Sequence, residues 1–307
     1  MTPLRQALSD YLRIRRQLGF ELKATERHLN DFVGFLERAG AERITTELAV
    51  MWARMPVDAH PHWLKRRLGF VRGFARYLAT IDPDTEVPST QLLPARRPRV
   101  APYIYSPTEI TALMSATETL RPPFHAATMK TVIGLMATTA VRAGEALALE
   151  RQDVDLADGA LHVRARKHKQ REVPLHETTT VALRAYVRLG DQRWPNPATP
   201  AFFLGTRGGR LAGISFYRTF PLLIRQAGLE GKGMRMRPRP HDLRHTFAVR
   251  TLLDWYRAGE AIDRRIPELS RFLGHSDPAS SYWYLEAVPE LMALISARLE
   301  WLPEVLS

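Results

Sequence analysis

The sequence predicts a mainly α-helical protein with a small antiparallel β-sheet, built as an N-terminal helical bundle followed by an α+β domain. Three observations predict it. Apolar residues recur at helical spacing through most of the 307 residues. One stretch, Gly159 to Leu175, reads instead as two short strands around a basic tip. Pro94, Pro98, Pro102 and Pro107, with Arg96, Arg97 and Arg99 between them, interrupt the helical pattern with an extended, semi-rigid connection. The expected organisation is a helical domain at 1–93, a Pro/Arg-rich linker at 94–107 and a second domain at 108–307, a length suited to two domains.

The first domain carries Leu4, Leu8, Tyr11 and Leu12, then Leu29, Phe32, Val33 and Leu36, and later Leu64, Leu68, Val71, Phe74, Ala75 and Leu78, each set on one helix face. Gly19, Gly40 and the Pro56 to Pro61 region separate these segments. Thr45 and Thr46 before Glu47 mark the start of a short helix through Trp52, giving four helices or so. Arg13, Arg15, Arg16, Lys65, Arg66, Arg67, Arg72 and Arg76 lie between the apolar positions. They are equally consistent with a solvated face and with a surface that meets phosphates.

In the second domain Ser106-Pro107-Thr108-Glu109 has Ser at the cap, Pro at the first helical position and Glu at the third, with Leu113 and Met114 on the buried face that follows. Lys130 to Thr139 is apolar enough for a buried helix; Arg142 follows at a turn, and Glu145 to Leu149 resumes as a short helix. Ala160 to Arg164 and Arg171 to Leu175 flank Arg166-Lys167-His168-Lys169, a hairpin with a cationic tip. Helices are expected at Thr178 to Leu189 and Ser215 to Ala227, with a proline-rich loop between them. Arg235, Arg237 and Arg239 form a basic approach to His241, and Val288 to Trp301 is an amphipathic segment with Leu291, Leu294, Ile295 and Leu299 on one side.

Composition narrows the chemistry. A formal charge of +12 and a pI near 10.3 suit a polyanionic partner, nucleic acid first and an anionic membrane second. With no cysteine, disulfide scaffolds, Cys-based zinc sites and thiol nucleophiles are excluded. Met1 to Asp10 lacks the apolar core of a signal peptide, and the Thr131 to Val141 run is far short of the ~20 residues that span a bilayer. A cytoplasmic, nucleoid-associated protein without membrane contact is expected.

The residues with chemical potential lie far apart. His241 and Arg244 share a helix face at i and i+3, just after Pro238 and Pro240, at a helix N-terminus that favours anions. Arg142 adds a planar fork able to hold two phosphate oxygens, and Glu145, three residues on, can orient a neighbouring donor. His275 follows Gly274, which is placed to end a helix. Tyr284 stands nine residues later, with Tyr282 and Trp283 beside it. Taken singly, each has a plain structural reading: a capping arginine, a loop histidine, an aromatic patch.

Taken together, the order Arg142, a hairpin lysine, His241-x-x-Arg244, Leu273-Gly274-His275 and Tyr284 resembles the tyrosine recombinases, the phage-integrase family, over essentially the whole chain. The resemblance implies a SAM-like helical core-binding domain and a recombinase catalytic domain. It implies that Tyr284 attacks the scissile phosphate to form a 3′-phosphotyrosyl bond, that Arg142 and Arg244 clamp the non-bridging oxygens, that His241 is an acid/base partner and that His275 donates to the phosphate. Glu145 matches an acidic position with an orienting role. The family's hairpin lysine, general acid for the leaving 5′ oxygen, falls on Lys167 when the first strand sets the register. Counting back from Val173 gives Arg166 instead, a poor acid, and Lys169 stands in reserve. Tyr282 is the alternative nucleophile.

By their charge and placement in the linker, at the hairpin tip and before His241, Arg96, Arg97, Arg99, Arg166, Lys169, Arg237 and Arg239 are the expected DNA contacts. The resemblance implies double-stranded DNA with inverted-repeat sites as the partner. It also implies a homotetramer on DNA joined through the C-terminal helix, which otherwise packs on its own domain. No metal or cofactor is implied, because the covalent link conserves the bond energy for rejoining. The expected function is a site-specific recombinase or integrase linked to a mobile element. The alternatives are a type IB topoisomerase-like relaxing enzyme and a non-catalytic architectural DNA-binding protein.

Overall fold

The computed structural model describes residues 2–94, 102–164, 170–230 and 237–274. Arg96, Arg97, Arg99, Arg166, Lys167, Lys169, His275, Tyr282, Tyr284 and the 288–301 segment lie outside the described residues. The chain divides into two compact units, Met1–Arg99 and Val100–Ser307.

The first unit holds four helices: α1 (Pro3–Gln17), α2 (Lys23–Arg38), α3 (Thr46–Arg54) and α4 (Pro61–Leu78). Their apolar stripes meet in one core that includes Leu8, Leu29, Phe32, Trp52, Leu68 and Phe74. Thr45 caps α3 as its sequence suggests, accepting from the Leu48 N–H. Two of the arginines between the stripes turn inward. Arg67 is buried, stacks 3.8 Å over the Trp52 ring and donates to the Trp52 carbonyl. Arg72 donates to the Pro88 and Ser89 carbonyls. Arg67 and Arg72 hold the bundle together, a role that the charge pattern alone could not separate from phosphate binding.

The second unit is organised around α6 (Pro123–Thr139), which buries Phe124, Met129, Val132, Ile133, Leu135 and Met136. Against it pack α5 (Pro107–Ala116), α7 (Ala143–Ala148), α8 (Glu177–Arg193) and α10 (Pro240–Arg257). Helices α9 (Gly213–Gln226) and α11 (Ile262–Leu273) complete the helical set among the described residues. A three-stranded antiparallel sheet runs in the order β1 (Val154–Asp155), β2 (Ala160–Arg164), β3 (Gln170–Pro174). In β2 and β3 Leu161 faces Val173 and Val163 faces Arg171. Strand β1, two residues long, is absent from the sequence reading because it is too short to show alternation. A second apolar cluster joins Ala248, Val249, Leu252 and Leu253 of α10 to Ile266, Leu269 and Leu273 of α11.

Helix α5 starts with the expected capping box. The Ser106 hydroxyl accepts from the Glu109 N–H at 3.1 Å, and the Glu109 carboxylate accepts from the Ser106 N–H at 2.7 Å. The preceding residues, counted with the linker by composition, pack into this unit. Tyr105 is fully buried; its N–H donates to Thr246 Oγ1, its hydroxyl to the Arg239 carbonyl, and its own carbonyl accepts from Arg250. Ser106→Ala is expected to destabilise the second unit by about 1 kcal/mol, read as an earlier midpoint in urea unfolding.

Candidate active site

Two proline-preceded residues set the start of α10. Asp242, at the third helical position, is fully buried and accepts from the Arg239 N–H at 2.8 Å and from its Nε and Nη2 at 3.2 and 3.1 Å. A carboxylate there satisfies the entering backbone and suits the positive end of the helix. His241 therefore stands at a fixed helix N-terminus, its ring 4.6 Å from that of His245. The imidazole is held below its ordinary range, first by desolvation from the surrounding protein, then by the charges of Arg244, Arg142 and Arg239, against Asp242. The residue is nonetheless exposed, which restores part of its hydration, so the three guanidinium charges are the firmer cause. A neutral imidazole results at neutral pH, able to accept a proton.

Arg244, one turn further, is only 1% exposed. A buried guanidinium must be hydrogen-bonded. Nη1 donates to the Ala140 carbonyl at 2.8 Å and Nη2 to the Leu273 carbonyl. Ala140 ends α6 in the left-handed region, φ 54°, an uncommon conformation for a residue with a Cβ.

Arg142 lies at the cap position of α7 with extended backbone, φ −69°, ψ 147°. Its N–H and Nη1 donate to the two oxygens of Glu145, at 2.9 and 2.7 Å. The same carboxylate accepts from Arg171 Nη1 and Nη2 at 3.1 and 2.7 Å. Burial alone would raise the Glu145 pKa. The hydrogen bonds from Arg171 and from the Arg142 backbone and side chain overrule it and bring the carboxyl down to about 2.

The three arginines converge on one turn. At the end of α11, Gly274 adopts φ 64°, ψ 43°, and closes the helix. The last carbonyls of a helix have no partner within it. Here Arg171 Nε donates to Phe272 at 3.0 Å, Arg244 Nη2 to Leu273, and Arg142 Nη2 to Gly274 at 3.3 Å. Glu145 accepts from two of these guanidinium groups, Arg142 and Arg171, and the third, Arg244, meets the Ala140 and Leu273 carbonyls, a cluster of cations suited to a phosphate.

Of the residues singled out by sequence, Arg142, Glu145, His241 and Arg244 stand in this cluster, and Gly274 ends the helix directly before His275. Arg239 has its side chain on Asp242, and Arg237 is exposed. Arg171 was missed as a site residue. Its signal was period-two alternation, which puts it on the same face as buried Val173.

The phage integrase family model matches residues 105–290, more than half of the chain. The chain belongs to the phage integrase family. The integrase/recombinase y4rB of Sinorhizobium fredii is 42% identical to it, over 98% of both chains. The tyrosine recombinase XerC of Azotobacter vinelandii is 29% identical over 91% of this chain and 89% of its own. Among solved structures, the Tn1549 transposon integrase in complex with transposon right end DNA superposes with a TM-score of 0.65 at 17% identity, covering 98% of this chain and 99% of that one. A lambda integrase dimer bound to a core site gives 0.60 at 17% identity, covering 91% and 94%. The enzyme is thus a site-specific tyrosine recombinase, which cleaves and rejoins DNA strands.

Because the Glu145 pKa is depressed in the folded state, its contribution is complete above the unfolded carboxyl range near pH 4.5 and is lost as pH falls toward 2. Stability measured against pH should therefore show a Glu145→Gln deficit that is flat above about pH 5 and shrinks below it, with a span on the order of 3 kcal/mol.

Proposed function

We propose that the recombinase cuts DNA with Tyr284 and uses the arginine-lined turn at the end of α11 as its phosphate site. The phenol oxygen of Tyr284 attacks phosphorus and its proton passes to His241. The bond from phosphorus to the 5′ oxygen breaks, and that oxygen takes a proton from Lys167 of the hairpin tip. The products are a 3′-phosphotyrosyl bond and a free 5′-hydroxyl; attack by a 5′-hydroxyl reverses the step and reseals a strand. Arg142 and Arg244 hold the non-bridging oxygens, and His275 adds a further donor. Charge that develops on those oxygens is stabilised by donors already in place.

The observation that carries this reading is the convergence of Arg142 and Arg244, a hundred positions apart in sequence, on consecutive carbonyls of one turn. That turn directly precedes His275 and lies ten residues before Tyr284. Matches along nine-tenths or more of two proteins named as recombinases favour recombination over supercoil relaxation. The partner is double-stranded DNA carrying inverted-repeat sites. Arg96, Arg97, Arg99, Arg166, Lys169, Arg237 and Arg239 contact its backbone, and the first unit serves as the core-binding domain. Four copies assemble on two duplexes through the C-terminal segment; the dimeric lambda complex supports self-association on DNA. The likeness to y4rB and to a transposon integrase supports a role in moving a genetic element within the nucleoid.

Trapping the protein on genomic DNA under denaturing conditions and sequencing the attached strands should yield inverted repeats flanking a short spacer. Tyr284→Phe should give no adduct, and Arg142→Ala or Arg244→Lys should lower adduct formation by roughly 100- to 1,000-fold in protein that still melts cooperatively. An adduct that survives Tyr284→Phe unchanged would overturn the assignment.

A further inference from the structure

One guanidinium in the cluster has no part in the phosphate chemistry above. Arg171 is on the inner face of β3, opposite Val163 and two residues from buried Val173. Its side chain is 10% exposed. Three of its five N–H groups are spent on protein acceptors. Nε goes to the Phe272 carbonyl, and both Nη groups go to the oxygens of Glu145.

We propose that Arg171 is a positioning residue for strand cleavage: it fixes Glu145 and the last turn of α11 relative to each other, and so sets where Arg142 stands. The inference rests on the assignment of the phosphate site made above.

The geometry supports this at both ends. Glu145 is the ligand that orients Arg142, through the backbone N–H and Nη1. With Arg171 removed, that carboxylate keeps Arg142 but loses two directed hydrogen bonds in a buried setting, and burial then works against its charge. At the other end, Gly274 passes against the Arg171 guanidinium. A Cβ at 274 would come 2.9 Å from Nη1 and 3.3 Å from Cζ. The glycine is thus required twice: for its left-handed φ of 64° and for the approach of Arg171. Strand β3 is also one arm of the hairpin that carries Lys167. A single side chain therefore ties β3 to the last turn of α11.

Lysine cannot replace this arginine. One ammonium point charge cannot span a bidentate carboxylate and a carbonyl on its far side. Arg171→Lys should lower the thermal midpoint, because three directed hydrogen bonds in a buried setting are lost, yet leave the DNA dissociation constant of the folded protein, at fixed salt, close to wild type. It should slow single-turnover formation of the covalent adduct on the trapped site about tenfold or more. Adding Glu145→Gln to it should cost little further, because both changes break the same link. Free guanidinium ion at millimolar concentration should partly restore Arg171→Ala, an effect that loss of packing alone would not give. If Arg171→Lys fails to fold, Gly274→Ala displaces the same guanidinium; it also strains the left-handed φ, so its adduct rate is compared per folded molecule and should fall about tenfold or more.

Adduct formation within about twofold of wild type in folded Arg171→Lys, or losses in rate and DNA binding that fall together with the folded fraction, would overturn the proposal. Arg142→Ala separates the two levels of argument. If it too leaves adduct formation intact, the assignment of the phosphate site is what fails. If it abolishes cleavage while Arg171→Lys does not, only the positioning role fails.

Discussion

The second unit depends on how the carbonyl end of α11 is satisfied. A helix leaves its last carbonyls without partners, and in this protein they are met by guanidinium groups from β3, α10 and the start of α7. The exchange serves both sides. Arg171 and Arg244 could not be buried without acceptors, and the negative end of the helix dipole favours cations. Four elements that span residues 142 to 274 are fixed relative to one another by one turn. The same bonds concentrate positive charge there, with Glu145 compensating only part of it.

Other features of the second unit serve to hold that turn still. Helix α6 is apolar nearly all round and fills the centre, and it stops at Ala140 in a left-handed conformation that aims the Ala140 carbonyl at Arg244. Tyr105 and Thr246 pin the N-terminal stretch of this unit to α10, while Asp242 and the Tyr105 hydroxyl fix the Arg239 backbone just before His241. The small apolar cluster between α10 and α11 includes Ala140 and Leu273, the two residues whose carbonyls accept from Arg244. Donors held in this way meet, for the phosphate site proposed above, the condition for stabilising a transition state without reorganisation.

In the first unit arginines divide between two tasks that look the same in one dimension. Arg67 covers Trp52 and caps its carbonyl, and Arg72 ties α4 to the chain at Pro88 and Ser89. A long aliphatic stem lets such a side chain be buried along its length while its head finds carbonyls. Interleaved basic residues on a helix therefore do not, of themselves, mark a binding face.

Much of the architecture was legible in the sequence, because periodicity and end signals are local. The apolar stripes from Leu4 to Leu78 gave four helices, Ser106 with Glu109 gave the start of α5, and Gly274 gave the end of α11. The hairpin was visible as two runs around a basic tip. Composition misplaced residues 102–105: prolines report extended backbone, and an extended segment docked on α10 has the same signature as a free linker. The identity and order of Arg142, Glu145, His241 and Arg244 were also in the sequence. What only the tertiary structure decided is that these groups meet at the carbonyls of residues 272–274 and that Arg171 stands among them. Hydrogen bonds between residues some thirty to one hundred and thirty positions apart leave no periodic trace, since they depend on how helices and strands pack rather than on what any one segment prefers.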